Sequence, residues 1–157
     1  MKRYYLAYGS NLNVKQMKAR CPGAKIVGTA VIRDYELLFK GSKTGAYLTI
    51  EPKKGSSVPV GVWDVTAEDE LRLDRYEGYP SFYYKKEMQI TVENKRCSAF
   101  VYIMHEDRPI GVPSQFYMKT CLDGYKDFGF DTVELMNAYI RCMSSLQGTK
   151  SLFSNIA

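Results

Sequence analysis

The sequence predicts an α+β domain: a small, curved, mostly antiparallel, barrel-like sheet of six to seven strands with about four flanking helices. Three observations predict it. Strand-like segments dominate the first two-thirds of the 157 residues, helical periodicity fills the last third, and several strand-like runs are joined by glycine or proline turns of hairpin length. With 45% apolar residues the chain is long enough for one domain with a real core.

The first strand is "RYYLA", which breaks at Gly9 into "GSNLN". A short helix, "NVKQMKAR", follows and stops at "CPG", because proline biases its predecessor away from helical dihedrals. "AKIVGTAVI", "DYELLFK", "AYLTI" and "VPVGVWDV" read as strands, with "GSKTG" and "PKKGSS" as the turns between them. Thr66 to Asp69 has capping-box spacing, so "AEDELRLDRY" is expected as a helix that ends at Gly78 and Pro80. "YYKKEMQITV" and "CSAFVYIM" form a hairpin through "ENKR". In "PSQFYMKTCLDGYKDFG", Tyr117, Cys121, Tyr125 and Phe128 recur on one helical face. Gly129 ends that helix, and Asp131 with Glu134 opens "DTVELMNAYIRCMSSL". The domain is expected to span 1–146, with 147–157 a loosely held tail.

Composition narrows function. The formal charge of +5 comes from basic residues scattered among acids without long runs, which favours solubility over a nucleic-acid surface. The four cysteines lie far apart without a C-x-x-C pair, and Met1-Lys2-Arg3 leads directly into a strand-like segment, so a cytoplasmic chain with reduced thiols is expected. No apolar run approaches the ~20 residues of a membrane span. A single histidine, His105, argues against Ser-His or Cys-His nucleophilic machinery and against zinc. Neither a Walker sequence nor a G-x-G-x-x-G motif is present, and no cofactor is expected. A catalytic base in this chain is therefore expected to be a carboxylate.

Two stretches carry candidate chemistry. In Tyr8-Gly9-Ser10-Asn11 a strand passes through glycine into a polar turn that opens a helix, leaving backbone N–H groups free to face an anion or a polarised carbonyl. Taken alone, the loop reads first as an ordinary strand-to-helix turn with an asparagine cap. In "LDRYEGYPSFYY", Leu73, Tyr76 and Glu77 share one side of the helix, while Leu71 lies well away from it. Burial of Glu77 among Tyr76, Tyr79, Phe82, Tyr83 and Tyr84 would raise its pKa and suit it to accept protons near neutrality. Alone, Glu77 reads as an exposed glutamate at a helix end.

Together, "YLAYGSNL", "LDRYEGYP" followed by "YY", and "PSQFYMKTCLDGYKDFGF" resemble the gamma-glutamylcyclotransferase-like, or AIG2-like, family over nearly the whole chain, the third stretch looking like its bacterial members. The resemblance implies a reaction in which a substrate's own α-amine attacks its γ-glutamyl amide carbon, expelling an amine and leaving 5-oxoproline. By position, Glu77 matches the family's general base. Tyr5, Leu6, Ala7, Tyr8, Gly9, Ser10, Asn11 and Leu12 match its substrate cradle, and Tyr117 and Tyr84 match pocket walls. Phe82 stands where many relatives have glycine and is expected to narrow the pocket. The expected partner is a small γ-glutamyl compound, with no nucleic acid or membrane, and the protein a monomer or homodimer. A non-catalytic metabolite-binding module on the same fold is the alternative.

Overall fold

A computed structural model describes the backbone of residues 3–154 and the side chains of residues 3–146. Strands β1 (Arg3–Ala7), β2 (Lys25–Lys40), β3 (Tyr47–Val65), β4 (Tyr83–Val92) and β5 (Lys95–Met104) form a sheet in the order β2-β3-β1-β5-β4. Helices α1 (Val14–Arg20), α2 (Ala67–Glu77), α3 (Gln115–Asp127) and α4 (Val133–Ser154) flank it, and a 3₁₀ turn, Ser10–Leu12, joins β1 to α1.

The α+β class and the four helices are as expected; the strand number and the barrel are not. The sheet has five strands because the turn expected at "PKKGSS" and the break expected between "AKIVGTAVI" and "DYELLFK" are both irregularities within long strands. Asp34 sits at positive φ (62°), and the β2–β3 register jumps from Arg33↔Ser57 to Tyr35↔Pro52. Residues 53–56 bulge opposite it, where the Gly55 N–H (φ 87°) donates to Asp34 Oδ1 at 3.0 Å. Aspartate and glycine serve bulges for the same reason they serve turns, so "PKKGSS" reads alike in both roles. The sheet is also mixed, since β1 pairs antiparallel with β3 but parallel with β5. It stays open: β2 and β4 are its two edges and no ladder joins them among the described residues. Helix α4 packs against β2, with Arg141 Nη2 donating to the Leu37 carbonyl at 2.7 Å. The expected tail begins inside α4, which continues to Ser154, and residues 155–157 lie outside the described residues.

Local signals set the helix ends. Thr66 accepts from the Asp69 N–H, and Gly78 takes the left-handed conformation that closes α2. Asn13 and Ser114 cap α1 and α3, and Asp131 accepts from the Val133 N–H before α4. The β4–β5 turn is Glu93-Asn94 with both residues at positive φ, the backbone of a type I′ hairpin.

The core runs through the middle of the sheet. β1 is a central strand, so Tyr5, Leu6 and Ala7 are all buried although they alternate across it. Trp63, Phe39, Phe100, Tyr102 and Leu48 fill the space around them. Helix α3 lies on the 3₁₀ turn at very short range: a Cβ added to Gly124 would fall 2.6 Å from the Asn13 nitrogen and 2.7 Å from the Leu12 carbonyl carbon. Polar contacts cross the same seam, from the Val14 N–H to Asp127 Oδ2 (2.9 Å) and from Tyr125 Oη to the Tyr8 carbonyl (3.4 Å).

Gly124→Ala is therefore expected to destabilise the protein by about 1–3 kcal/mol, because backbone atoms cannot yield to the methyl as a side chain would. A urea unfolding midpoint equal to that of the parent protein would contradict the close approach described for α3.

Candidate active site

β1 pairs with β3 only from Gly61 to Val65, so the start of β3 has no strand on that side. A cavity of about 300 Å³ occupies the gap. Phenols satisfy the exposed edge: the Leu48 N–H donates to Tyr117 Oη at 3.1 Å, and Tyr83 Oη donates to the Leu48 carbonyl at 2.8 Å. Tyr5 of β1 and Tyr8, the residue that follows the strand, line the walls, and the bend adds Gly9, Ser10 and Asn11. Tyr47 and Leu48 come from β3, Arg75 to Gly78 from the end of α2, Phe82 and Tyr83 from the entry to β4, and Tyr102 from β5.

Glu77 thus shares one cavity with the Gly9–Asn11 bend, 66 positions away in sequence when measured to Asn11. Asn11 Nδ2 lies 2.9 Å from Tyr5 Oη and 3.5 Å from Glu77 Oε1. The bend is rigid: Leu12 N–H donates to the Gly9 carbonyl and Asn13 N–H to that of Ser10, both at 3.0 Å, while Trp63 Nε1 donates to the Asn11 carbonyl at 3.1 Å. The N–H groups of Gly9, Ser10 and Asn11 take no part in those bonds. Gly9 leaves room at the cavity wall, since a Cβ there would crowd Leu48 Cδ1 and Tyr117 Oη, each at 3.3 Å.

Burial dominates the electrostatics. It pushes the Glu77 carboxyl up from 4.5 to about 8, against a smaller downward pull from Arg20. Burial likewise holds the phenols of Tyr5, Tyr8, Tyr83 and Tyr117 well above their ordinary value, leaving them neutral donors around the carboxylate. Tyr8 Oη donates to the Tyr102 carbonyl at 2.7 Å. On the outer side, Tyr102 Oη donates to Asp74 Oδ1 at 2.6 Å and Lys85 Nζ bridges Asp74 (2.9 Å) and Glu70 (2.6 Å), which fixes the Tyr102 ring. Among the described residues, no group of three His, Cys, Asp or Glu side chains is placed to hold a metal ion.

Of the residues singled out in the sequence, Glu77, Tyr5, Tyr8, Gly9, Ser10, Asn11 and Tyr117 line the cavity. Leu6, Ala7 and Leu12 are fully buried in the core and do not line it. Tyr84 faces the other side of β4, where its hydroxyl bonds Glu106, and its neighbour Tyr83 takes the cavity wall. Phe82 lines the cavity, with its ring 6.2 Å from that of Tyr47. His105 lies elsewhere, its Nε2 donating to the Pro80 carbonyl at 2.8 Å. Tyr47, Arg75 and Tyr102 carried no signal in the sequence: Tyr47 follows a turn, Arg75 is one charge on a charged helix, and β5 is buried on both faces, so alternation does not mark its cavity side.

The family model described as gamma-glutamyl cyclotransferase, AIG2-like, matches residues 5–119, a span running from β1 into α3 and containing every cavity residue. The chain belongs to the gamma-glutamyl cyclotransferase, AIG2-like, family. It is 33% identical over 136 residues to the human gamma-glutamylcyclotransferase, covering 80% of this chain and 71% of that protein. The bovine gamma-glutamylcyclotransferase is 31% identical over 137 residues with the same coverage. A solved structure of a gamma-glutamyl cyclotransferase superposes with a TM-score of 0.75 at 28% identity, over 82% of this chain and 81% of that one. In this AIG2-like chain the aromatic-walled cavity sits at the bend and the capped end of α2.

The raised Glu77 carboxyl makes a stability prediction. Its folded-state value lies above 4.5, so the native protein holds the proton more tightly than the unfolded chain, and folding loses stability as pH rises from 4.5 to about 8. Glu77→Gln, neutral throughout, is expected to melt above the parent, with the gap widening across that window and level beyond it. Parallel melting curves at a series of pH values check this; a constant gap would mean that Glu77 titrates as an ordinary exposed acid.

Proposed function

We propose that this chain is a gamma-glutamylcyclotransferase-type enzyme, a bacterial-type member of its family by the sequence of α3, in which the α-amine of a γ-glutamyl compound attacks its own γ-amide carbon. A C–N bond forms to close the five-membered ring, the original amide C–N bond breaks, and 5-oxoproline and a free amine or amino acid leave. The observation that carries the reading is the shared cavity of Glu77 and the Gly9–Asn11 bend.

Nucleophile and electrophile belong to one molecule, so the protein needs no covalent nucleophile; it holds the substrate folded and handles its protons. Glu77 takes the proton of the attacking α-ammonium and returns one to the departing nitrogen. The match of proton affinities favours this. An α-amine titrates at roughly 7.7–8.0, and Glu77 at about 8, so the ion pair and the neutral amine beside a protonated acid are close in free energy. With an ordinary carboxylate the reactive neutral amine would be scarcer by roughly three orders of magnitude. The N–H groups of the bend face the oxygen that becomes negative as the ring closes, in the manner of an oxyanion hole. Tyr5 Oη, which accepts from Asn11, keeps its own hydrogen to donate to the substrate.

A purified sample incubated with γ-glutamyl amino acids and γ-glutamyl amines is expected to release 5-oxoproline from at least one of them, with kcat/KM climbing on its acid side through about pH 8. Glu77→Gln is expected to lower kcat by ~100- to 10,000-fold. Equal turnover by the Gln variant removes Glu77 from the chemistry, and ligand-dependent melting without turnover across the panel favours the binding module instead.

A further inference from the structure

The Asn11 side chain bridges Tyr5 and Glu77, and what holds it lies outside the cavity. The guanidinium of Arg20, at the last position of α1, donates to Asn11 Oδ1. A guanidinium has only donors, so the oxygen of the amide must face Arg20. The amide's two hydrogens are then directed to the two acceptors on the other side, Tyr5 Oη and Glu77 Oε1. Arg20 is held in turn. Its guanidinium carbon lies 3.4 Å from the centroid of the Tyr76 ring, and Tyr76 Oη lies 3.1 Å from Ser10 Oγ. One planar cation thus ties the end of α1 to the bend and to the last turn of α2, the two segments that carry the cradle and Glu77. Arg20 does not itself line the cavity.

We propose that Arg20 is a positioning residue: it orients the Asn11 amide toward Glu77 and supplies the positive charge that favours the ionised, proton-accepting form of that carboxylate. The inference rests on the general-base role given to Glu77 above.

The groups facing Glu77 from other elements leave Arg20 that electrostatic role. Tyr5 from β1, Tyr8 just after it, Tyr83 from β4, Tyr102 from β5 and Tyr117 from α3 are phenols held neutral by burial. On α2 itself, Tyr76 and Arg75 line the cavity beside Glu77. Arg20 is the charge whose attraction works against the rise caused by burial.

Three variants separate orientation from charge. Arg20→Met loses both, Arg20→Gln keeps a donor for Asn11 without the charge, and Arg20→Lys keeps the charge without the planar fork. The readout independent of activity is the pH midpoint of Glu77 titration in the folded protein, read as the pH at which the melting difference between each variant and its Glu77→Gln partner stops widening. For Met and Gln that midpoint is expected to move upward by about one pH unit, as when an opposite charge leaves a carboxylate's surroundings; for Lys it is expected to stay. With γ-glutamyl-L-alanine as substrate, the acid limb of kcat/KM should move by the same amount. If Arg20→Met does not fold, Arg20→Gln carries the test alone. An unmoved midpoint in the Gln variant overturns the inference whatever the turnover. A moved midpoint in a protein that turns over no γ-glutamyl compound supports the positioning role and overturns the cyclotransferase reading.

Discussion

The contact on which the site depends is the one at Gly124, where α3 lies against the backbone of the bend with no room for a methyl group. That approach fixes the bend from outside while Trp63 fixes it from within through the Asn11 carbonyl. It also sets the depth at which Tyr117, two turns earlier on α3, reaches the open edge of β3 and takes the Leu48 N–H. The cavity is the space left when a short central strand stops at Ala7 while its neighbour β3 continues. Its walls are aromatic because a buried strand edge needs hydrogen-bonding partners, and phenols supply them with apolar rings attached.

Within that space the decisive balance is between burial and charge. A carboxylate surrounded by neutral phenols and helix backbone favours its protonated form, and the single guanidinium behind Asn11 only partly reverses this. The result is an acid whose proton affinity lies near that of an amine. Structural ion pairs stay on the outer face of α2, where Arg3, Lys85, Glu70 and Asp74 form a network that lowers the Glu70 carboxyl and anchors the helix to β4 and β5. The two carboxylate environments of one helix therefore differ in kind: Glu70 and Asp74 are paired with cations, whereas Glu77 faces a cavity walled by neutral phenols.

What was legible in the sequence was local. Gly9-Ser10-Asn11 after an apolar strand, and Glu77 between a capped helix and Gly78, are signals written within a few residues, and the structure brings them to one cavity. What was not legible depends on register or distant packing. Whether Tyr83 or Tyr84 faces inward follows from the pairing of Tyr83 with Met104, which the tyrosine pair itself does not encode. Leu6, Ala7 and Leu12 are contiguous with the cradle, yet alternation and the central place of β1 send them to the core. Gly55 reads as a turn residue and is a bulge residue, and Asp34 reads as the start of a new strand and is an irregularity within one, so four expected strands became two. The parallel β1–β5 pair, formed between segments far apart in the chain, keeps the sheet mixed. Arg20 reads as one more cation at a helix C-terminus, where it also complements the helix dipole, and only the fold reveals its stacking on Tyr76.

The claim at the centre is that the bend and the end of α2 form one binding site for the glutamyl part of a substrate. Titrating ¹⁵N-labelled protein with 5-oxoproline while following amide resonances tests it most directly. Saturable shifts concentrated at Gly9, Ser10, Asn11 and Gly78 are the result predicted. Shifts that stay linear and scattered, or that cluster around His105 and Arg108 in their separate pocket, would contradict it.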